Sequence, residues 1–230
     1  MSGLLVESVI FDLDNTLLDF MKMKSVSINA AVKAMIDVGM DINQEESVNE
    51  IFTIYDTKGY EHQEVFNEFI INKIGKINYK YLAAAIVEYK KAKEISLNLY
   101  PDVIPTLNKL LNMNLKLGIV SDAPSREAWM RLYTLELHNF FEEVVTFNDT
   151  GVYKPAKEPF IKISERLSAN LEECMMIGDW PERDIKGAGQ LGMKTAFAKY
   201  GSTDDIVDSG ADYDLDSLSE VVDIIHQINK

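Results

Sequence analysis

One cysteine in 230 residues, Cys174, leaves this chain without any internal disulfide framework, which excludes the small stapled scaffolds of secreted proteins. It lies within ECMMIGD, where nothing lowers a thiol pKa, so the sequence predicts a buried, inert side chain. The three histidines, His62, His138 and His226, are too scattered to form a zinc-ligand spacing. No apolar run approaches the ~20 residues of a membrane-crossing helix. The amino terminus, MSGLLVESVIFDLD, lacks the basic start, unbroken apolar segment and small-residue cleavage site of a secretion signal, so a cytoplasmic location is expected. Positive charge is also short: 23 basic residues face 37 acidic ones, for a formal net charge of -14. That balance argues against nucleic acid and anionic membrane as partners. It also means that an anionic ligand needs a local positive site to overcome the overall field.

What is present is a globular composition, 47% hydrophobic and 26% charged, in a chain long enough for one core and a smaller module. Leu4 to Phe11 reads as a buried strand, with VIF apolar on both faces. From KMKSVSINAAVKAMIDVGM to NYKYLAAAIVEYKKAKEISL the apolar residues recur at helical spacing. Polar breaks near Asp41–Gln44, Lys58–Tyr60 and Gly75–Asn78 divide this stretch into about four helices. The basic KKAK of Lys90–Lys93 fits a solvated helix face. After Tyr100 and Pro101 the pattern alternates, with strands at KLGIVS, EVVTF, CMMIGD and KTAFAK and helices beginning near Pro101, Ser125, Pro155 and Pro181. A last helix runs from about Leu218 to Ile228. Alternation of this kind predicts an α/β fold with a parallel sheet, three-layered and Rossmann-like. The core is then discontinuous, residues 1–18 and 98–230, with an all-helical module at 19–97 inserted after its first strand.

Ligands of open α/β sheets bind beyond the carboxyl ends of the strands, and those ends are where the polar residues concentrate. The first strand ends in Asp12 and Asp14, the KLGIVS strand in Ser121 and Asp122, and the CMMIGD strand in Gly178 and Asp179, with Asp184 shortly after. GVYKPAKEPF adds Lys154. Residues two apart on an extended segment point the same way, so Asp12 and Asp14 can share one site. Together these groups suit phosphoryl transfer. One carboxylate serves as nucleophile, and a second protonates the leaving alcohol and later activates water. A hard cation such as Mg²⁺ relieves the repulsion among the carboxylates, while Lys154 and Ser121 hold the phosphate.

In that order, DLDNT, IVSD, VYKP and GDWPERD resemble the four motifs of the haloacid dehalogenase-like (HAD) hydrolase superfamily. The helical insertion falls where that superfamily carries its first type of helical cap. Within it, the chain looks like the archaeal phosphatase branch that includes glyceraldehyde 3-phosphate phosphatases. The resemblance implies a phosphoric monoester hydrolase with Mg²⁺ as cofactor and a small phosphorylated metabolite as partner, active as a monomer or small homo-oligomer. It further implies that Asp12 is the nucleophile that becomes an aspartyl-phosphate and Asp14 the general acid and base. Ser121 and Lys154 would bind the phosphoryl group, with Asp122 beside them. Asp12, Asp14 through its backbone carbonyl, Asp179 and Asp184 would hold the metal. Two positions depart from the usual pattern: Asp122 stands where many relatives have asparagine, and Arg183 where asparagine or serine is common.

Competing readings are weaker. A calcium loop from Asp12 needs glycine at its sixth position and glutamate at its twelfth, which here are Leu17 and Met23. A plain turn accounts for Asp12 but not for the acids and lysine at the other strand ends. GAGQLG, Gly187–Gly192, spells a dinucleotide fingerprint but precedes its strand instead of following it. A 2-haloacid dehalogenase would use the nucleophilic aspartate without a metal and would lack Asp14. A silent binding module on the same scaffold would not need the complete acidic set. In the helical insertion, Lys24, Tyr55, Lys58, Tyr60 and His62 are candidate substrate contacts.

Overall fold

The computed structural model describes residues 5–230. Leu4, the expected start of the first strand, lies outside them. The chain separates into two compact units, an α/β unit running up to Asp19 and from Leu99 onward, and a helical unit at Phe20–Asn98.

In the α/β unit, β1 (Ser8–Phe11), β2 (Lys116–Val120), β3 (Glu143–Val145), β4 (Cys174–Gly178), β5 (Lys194–Ala198) and β6 (Tyr213–Leu215) form one parallel sheet. Its strand order is β3-β2-β1-β4-β5-β6. β1 pairs with β2 on one side and β4 on the other, placing Ile10 opposite both Gly118 and Met176. Strand order reverses direction between β1 and β4, and such a switch point opens a crevice at the carboxyl ends of the strands.

Neither face of the central strands meets solvent, because alternate side chains project to opposite faces and both sets are apolar. Ile10, Val120, Val145 and Met176 pack with Phe160, Ile163 and Leu167 on one face. Val9, Phe11, Ile119 and Ile177, on the other, are equally buried.

Helices α1 (Phe20–Asp37), α2 (Gln44–Lys58), α3 (Val65–Ile74) and α4 (Tyr79–Ser96) make up the helical unit. Ile28, Val32 and Met35 of α1, Ile51 of α2, Phe66 and Phe69 of α3, and Leu82 of α4 form its own core. Asn43 accepts from Glu46 N at 3.1 Å and Asn78 from Lys80 N at 3.0 Å, capping α2 and α4. Gly75 ends α3 in the left-handed region that favours glycine.

The α/β unit continues with α5 (Val103–Asn112), α6 (Ser125–Thr134), the short α7 (Phe147–Thr150) and α8 (Lys157–Leu167). A π-helical turn at Pro181–Ile185 leads into α9 (Lys186–Gly189), and α10 (Glu220–Ile228) closes the chain. GAGQLG thus belongs to α9 and the turn after it, with Gly192 at φ 82°. β6 was not expected; it adds a sixth strand at the sheet edge.

Candidate active site

The apolar run of β1 ends in a segment that is itself anchored by burial. Leu13, Leu17 and Leu18 are fully enclosed, so the chain leaves the sheet in a fixed path. Asp12 N donates to Ile177 O at 2.8 Å, extending the ladder one residue past the strand. Asp12 and Asp14, either side of Leu13, emerge together at the β1 end.

From β2 comes Ser121, nearly buried, whose Oγ accepts from Ala123 N at 3.1 Å. From β4 comes Asp179, and the π-helical turn returns Asp184 to the same place. Asp184 is 1% exposed, and its Oδ2 accepts from Trp180 N at 3.0 Å. That approach requires Gly178, because a Cβ there would lie 2.3 Å from Asp184 Cγ. Asp12, Asp179 and Asp184 each bring a carboxylate oxygen within 4.8 Å of the others.

Lys154 enters this cluster from the segment before α8. Its Nζ donates to Asp12 Oδ1 at 2.5 Å and to Val120 O at 3.1 Å. It also stands 2.6 Å from Asp184 Oδ1 in an ionic contact. Three carboxylates and one ammonium leave a formal charge of -2 in a site whose lysine side chain is 2% exposed. The titration of the site reflects that excess. Burial pushes the Asp12 carboxyl well above its ordinary range; Lys154 draws it back, and Asp184, Asp179 and Asp14 push it up again. Burial and the neighbouring Asp184 likewise move Asp179 to about 7. Burial works against the Lys154 ammonium, yet Asp12 and Asp184 outweigh it and hold the lysine above its usual value. One divalent cation would cancel the remaining charge, and an all-oxygen donor set suits a hard ion. The residues present therefore fit such a metal.

Other groups brace the site. Asp122 uses both oxygens structurally: Oδ1 accepts from Lys154 N at 2.9 Å and Oδ2 from Arg183 at 2.9 Å. The two departures from the family pattern are thus partners in one ion pair, and the Arg183 guanidinium also lies 4.0 Å over the Trp180 ring. Asp14 Oδ2 accepts from the buried Arg131 at 2.7 Å. Tyr200 Oη donates to Thr16 O at 2.7 Å, and Thr16 Oγ1 reaches Asp179 Oδ1 at 3.4 Å. Gly201 abuts Asn15 so closely that a Cβ would fall 1.6 Å from Asn15 O.

Arg131, Tyr200, Gly201 and Thr16 are absent from the sequence-derived set. Only Thr16 had a local signal, its place in DLDNT. Of that set, Asp12, Asp14, Ser121, Asp122, Lys154, Asp179 and Asp184 gather at the ends of β1, β2 and β4. The five candidates of the helical unit are arranged differently. Lys24 is 4% exposed; its Nζ donates to Tyr60 O and lies 4.2 Å from the Tyr55 ring centroid. Tyr55 and Tyr60 stack with centroids 5.8 Å apart. His62 pairs with Glu68 at 2.7 Å, and Lys58 is exposed. Lys24, Tyr55 and Tyr60 therefore form an aromatic–cation cluster inside the unit.

A parallel α/β core with a lysine-bridged carboxylate cluster at its switch point is the scaffold of a Rossmann-like hydrolase. The chain belongs to the haloacid dehalogenase-like hydrolase family, whose pattern it matches over residues 9–198. It is 34% identical to the glyceraldehyde 3-phosphate phosphatases of Methanocaldococcus jannaschii and Methanopyrus kandleri, each alignment covering 98% of this chain and 100% of the relative. Among solved structures it resembles a HAD phosphatase from Thermococcus onnurineus, with TM-score 0.71, 25% identity, and coverage of 96% of this chain and 98% of the other. A 2-haloacid dehalogenase from Pseudomonas syringae pv. Tomato DC3000 also superimposes, with TM-score 0.64, 21% identity, and coverage of 97% and 99%. Fold therefore does not separate the two chemistries, and the site must.

Proposed function

We propose that this chain is a Mg²⁺-dependent phosphomonoesterase that hydrolyses a small phosphorylated metabolite through an aspartyl-phosphate on Asp12. The observation that carries this reading is the Asp12–Lys154–Asp184 arrangement, completed by Asp179, with Asp14 held apart on its own cation. The named relatives act on glyceraldehyde 3-phosphate, and a triose phosphate is accordingly the first substrate to test. In this reading the helical unit serves as the cap that supplies selectivity.

Asp12 attacks phosphorus: its Oδ–P bond forms as the bond from phosphorus to the leaving oxygen breaks, with Asp14 giving its proton to that oxygen. In the second step a water oxygen bonds to phosphorus, Asp14 takes the water proton, and the Asp12–phosphorus bond breaks. Lys154 favours the ionised, attacking form of Asp12 against burial and the neighbouring acids, and places a fixed positive charge beside the equatorial oxygens, where charge develops in the transition state. The Ser121 hydroxyl is available to hydrogen-bond the same group. Asp12, Asp179 and Asp184, with the Asp14 backbone carbonyl, would hold the metal, which when bound neutralises phosphate charge and lets an anion enter an acidic site.

Asp14 distinguishes this reading from a metal-free dehalogenase, which needs no acid at that position. Turnover of phosphorylated metabolites with and without Mg²⁺, using Asp12→Asn as control, tests it. Metal-dependent phosphate release abolished by the substitution supports the reading; halide release from a haloacid without metal would replace it.

A further inference from the structure

Arg131 is buried to 2% of its side chain on α6, and its Nη1 donates to Asp14 Oδ2 at 2.7 Å. The two aspartates of DLDNT are thus held by different cations, Asp12 by Lys154 and Asp14 by Arg131. We infer that Arg131 is a positioning residue for proton transfer: it fixes the Asp14 carboxylate where it can serve the leaving oxygen and then the attacking water. The inference rests on the phosphatase reading above, because it presupposes Asp14 as acid and base.

Stability alone does not call for this arginine. Burying a guanidinium is costly, and replacing a buried ion pair by packed apolar groups is often neutral or stabilising. What an apolar residue cannot supply is a directed, always-charged donor on a carboxylate oxygen. The Asp14 side chain is 22% exposed, so the arginine directs a carboxylate that solvent can also reach. A proton-transfer group displaced by about 1 Å loses about 10²-fold in rate. Lys154 cannot take over the task, since its ammonium is engaged by Asp12, Asp184 and Val120 O.

The role predicts a dependence on the leaving group that a merely structural arginine would not produce. p-Nitrophenolate leaves without needing a proton, whereas an alkoxide does not. In Arg131→Met, Asp12 should still be phosphorylated rapidly by p-nitrophenyl phosphate, but activation of water should be slow. Rapid mixing should then show a burst of p-nitrophenolate stoichiometric with enzyme, followed by turnover lowered about 10²-fold. For a triose phosphate the first step itself should slow, with no burst. In an Asp14→Asn background, Arg131→Met should cost nothing further. Arg131→Lys should recover part of the lost turnover.

Wild-type turnover in folded Arg131→Met overturns the inference, as does equal slowing of the p-nitrophenolate burst and of turnover. Loss of the burst with a tenfold weaker inhibition by inorganic phosphate overturns it as well, because Arg131 would then bind the phosphoryl group. Should Arg131→Met fail to fold, Arg131→Gln carries the same burst measurement. Absence of any Asp14→Asn defect in the wild-type background would instead fail the phosphatase reading itself.

Discussion

Lys154 and Asp12, 142 residues apart in the chain, meet in a buried ion pair at 2.5 Å, and the site is organised around that contact. The lysine compensates Asp12 and Asp184 together, so its loss leaves two buried carboxylates without their cation. Lys154→Met is predicted to abolish measurable turnover and to destabilise the metal-free fold by about 3–5 kcal/mol at neutral pH, the range for breaking a buried pair from one side. Chemical denaturation checks the second part; adding Asp12→Asn should return part of the stability but no activity.

The excess negative charge predicts a pH dependence of stability that metal removes. Asp179 is raised to about 7 in the folded site, from a reference value of 3.8, and Asp12 is raised in the same direction. A carboxyl group with a raised folded pKa binds its proton more tightly when folded, so its favourable contribution is present below the unfolded value and is lost as pH rises through the folded one. Thermal melting in EDTA should therefore show these groups costing stability progressively from about pH 4 to 7. Added Mg²⁺ should raise the melting temperature more at pH 8 than at pH 5, with protons released on binding near neutrality.

The loop carrying the two aspartates leans on the β5–β6 connection. Gly201→Ala would drive a Cβ into Asn15 O, and the loop must shift to relieve it. Activity should fall by about 10²-fold and stability by about 1–3 kcal/mol, the usual cost of overpacking. Tyr200→Phe, which removes only the hydrogen bond to Thr16 O, should cost about 1 kcal/mol. Steady-state kinetics beside denaturant melts will rank the two.

Cys174 supplies a probe of folding. It is free and buried, and burial raises its thiol to about 11. At pH 8 only about a thousandth of it is thiolate, so alkylation of the native protein should proceed only through opening of the sheet. Mass-spectrometric labelling should be slow in buffer and immediate in denaturant. Rapid labelling of the native state would contradict the packing of β4.

The sequence made the sheet legible where the physics was local. β1, β2 and β4 are apolar runs ended by acids, β5 is an apolar run between turn residues, and the helical insertion advertised itself by spacing. β6 escaped because YDL is short and an edge strand can carry an exposed Asp214. The acids that gather at the site were legible as strand-end residues, and Lys154 with them, but the residues that brace them were not. Arg131 lies in SREAWMRLY, where an arginine reads as a solvated helix residue, and only the tertiary fold turns it toward Asp14. Tyr200 and Gly201 reach Thr16 and Asn15 across most of the chain, and no local pattern encodes that approach. Lys24 was legible as a cation in the helical insertion, but its approach to the Tyr55 ring and the Tyr60 carbonyl comes only from the tertiary packing of its own unit.

Covalent chemistry at Asp12 is tested by trapping the phosphorylated enzyme. Asp14→Asn mixed with p-nitrophenyl phosphate and Mg²⁺, quenched in acid and digested, should yield a phosphoryl adduct on the peptide containing Asp12. The adduct should be absent when Asp12→Asn is added. Release of p-nitrophenolate with no adduct, or an adduct on another residue, would rule out Asp12 as the nucleophile.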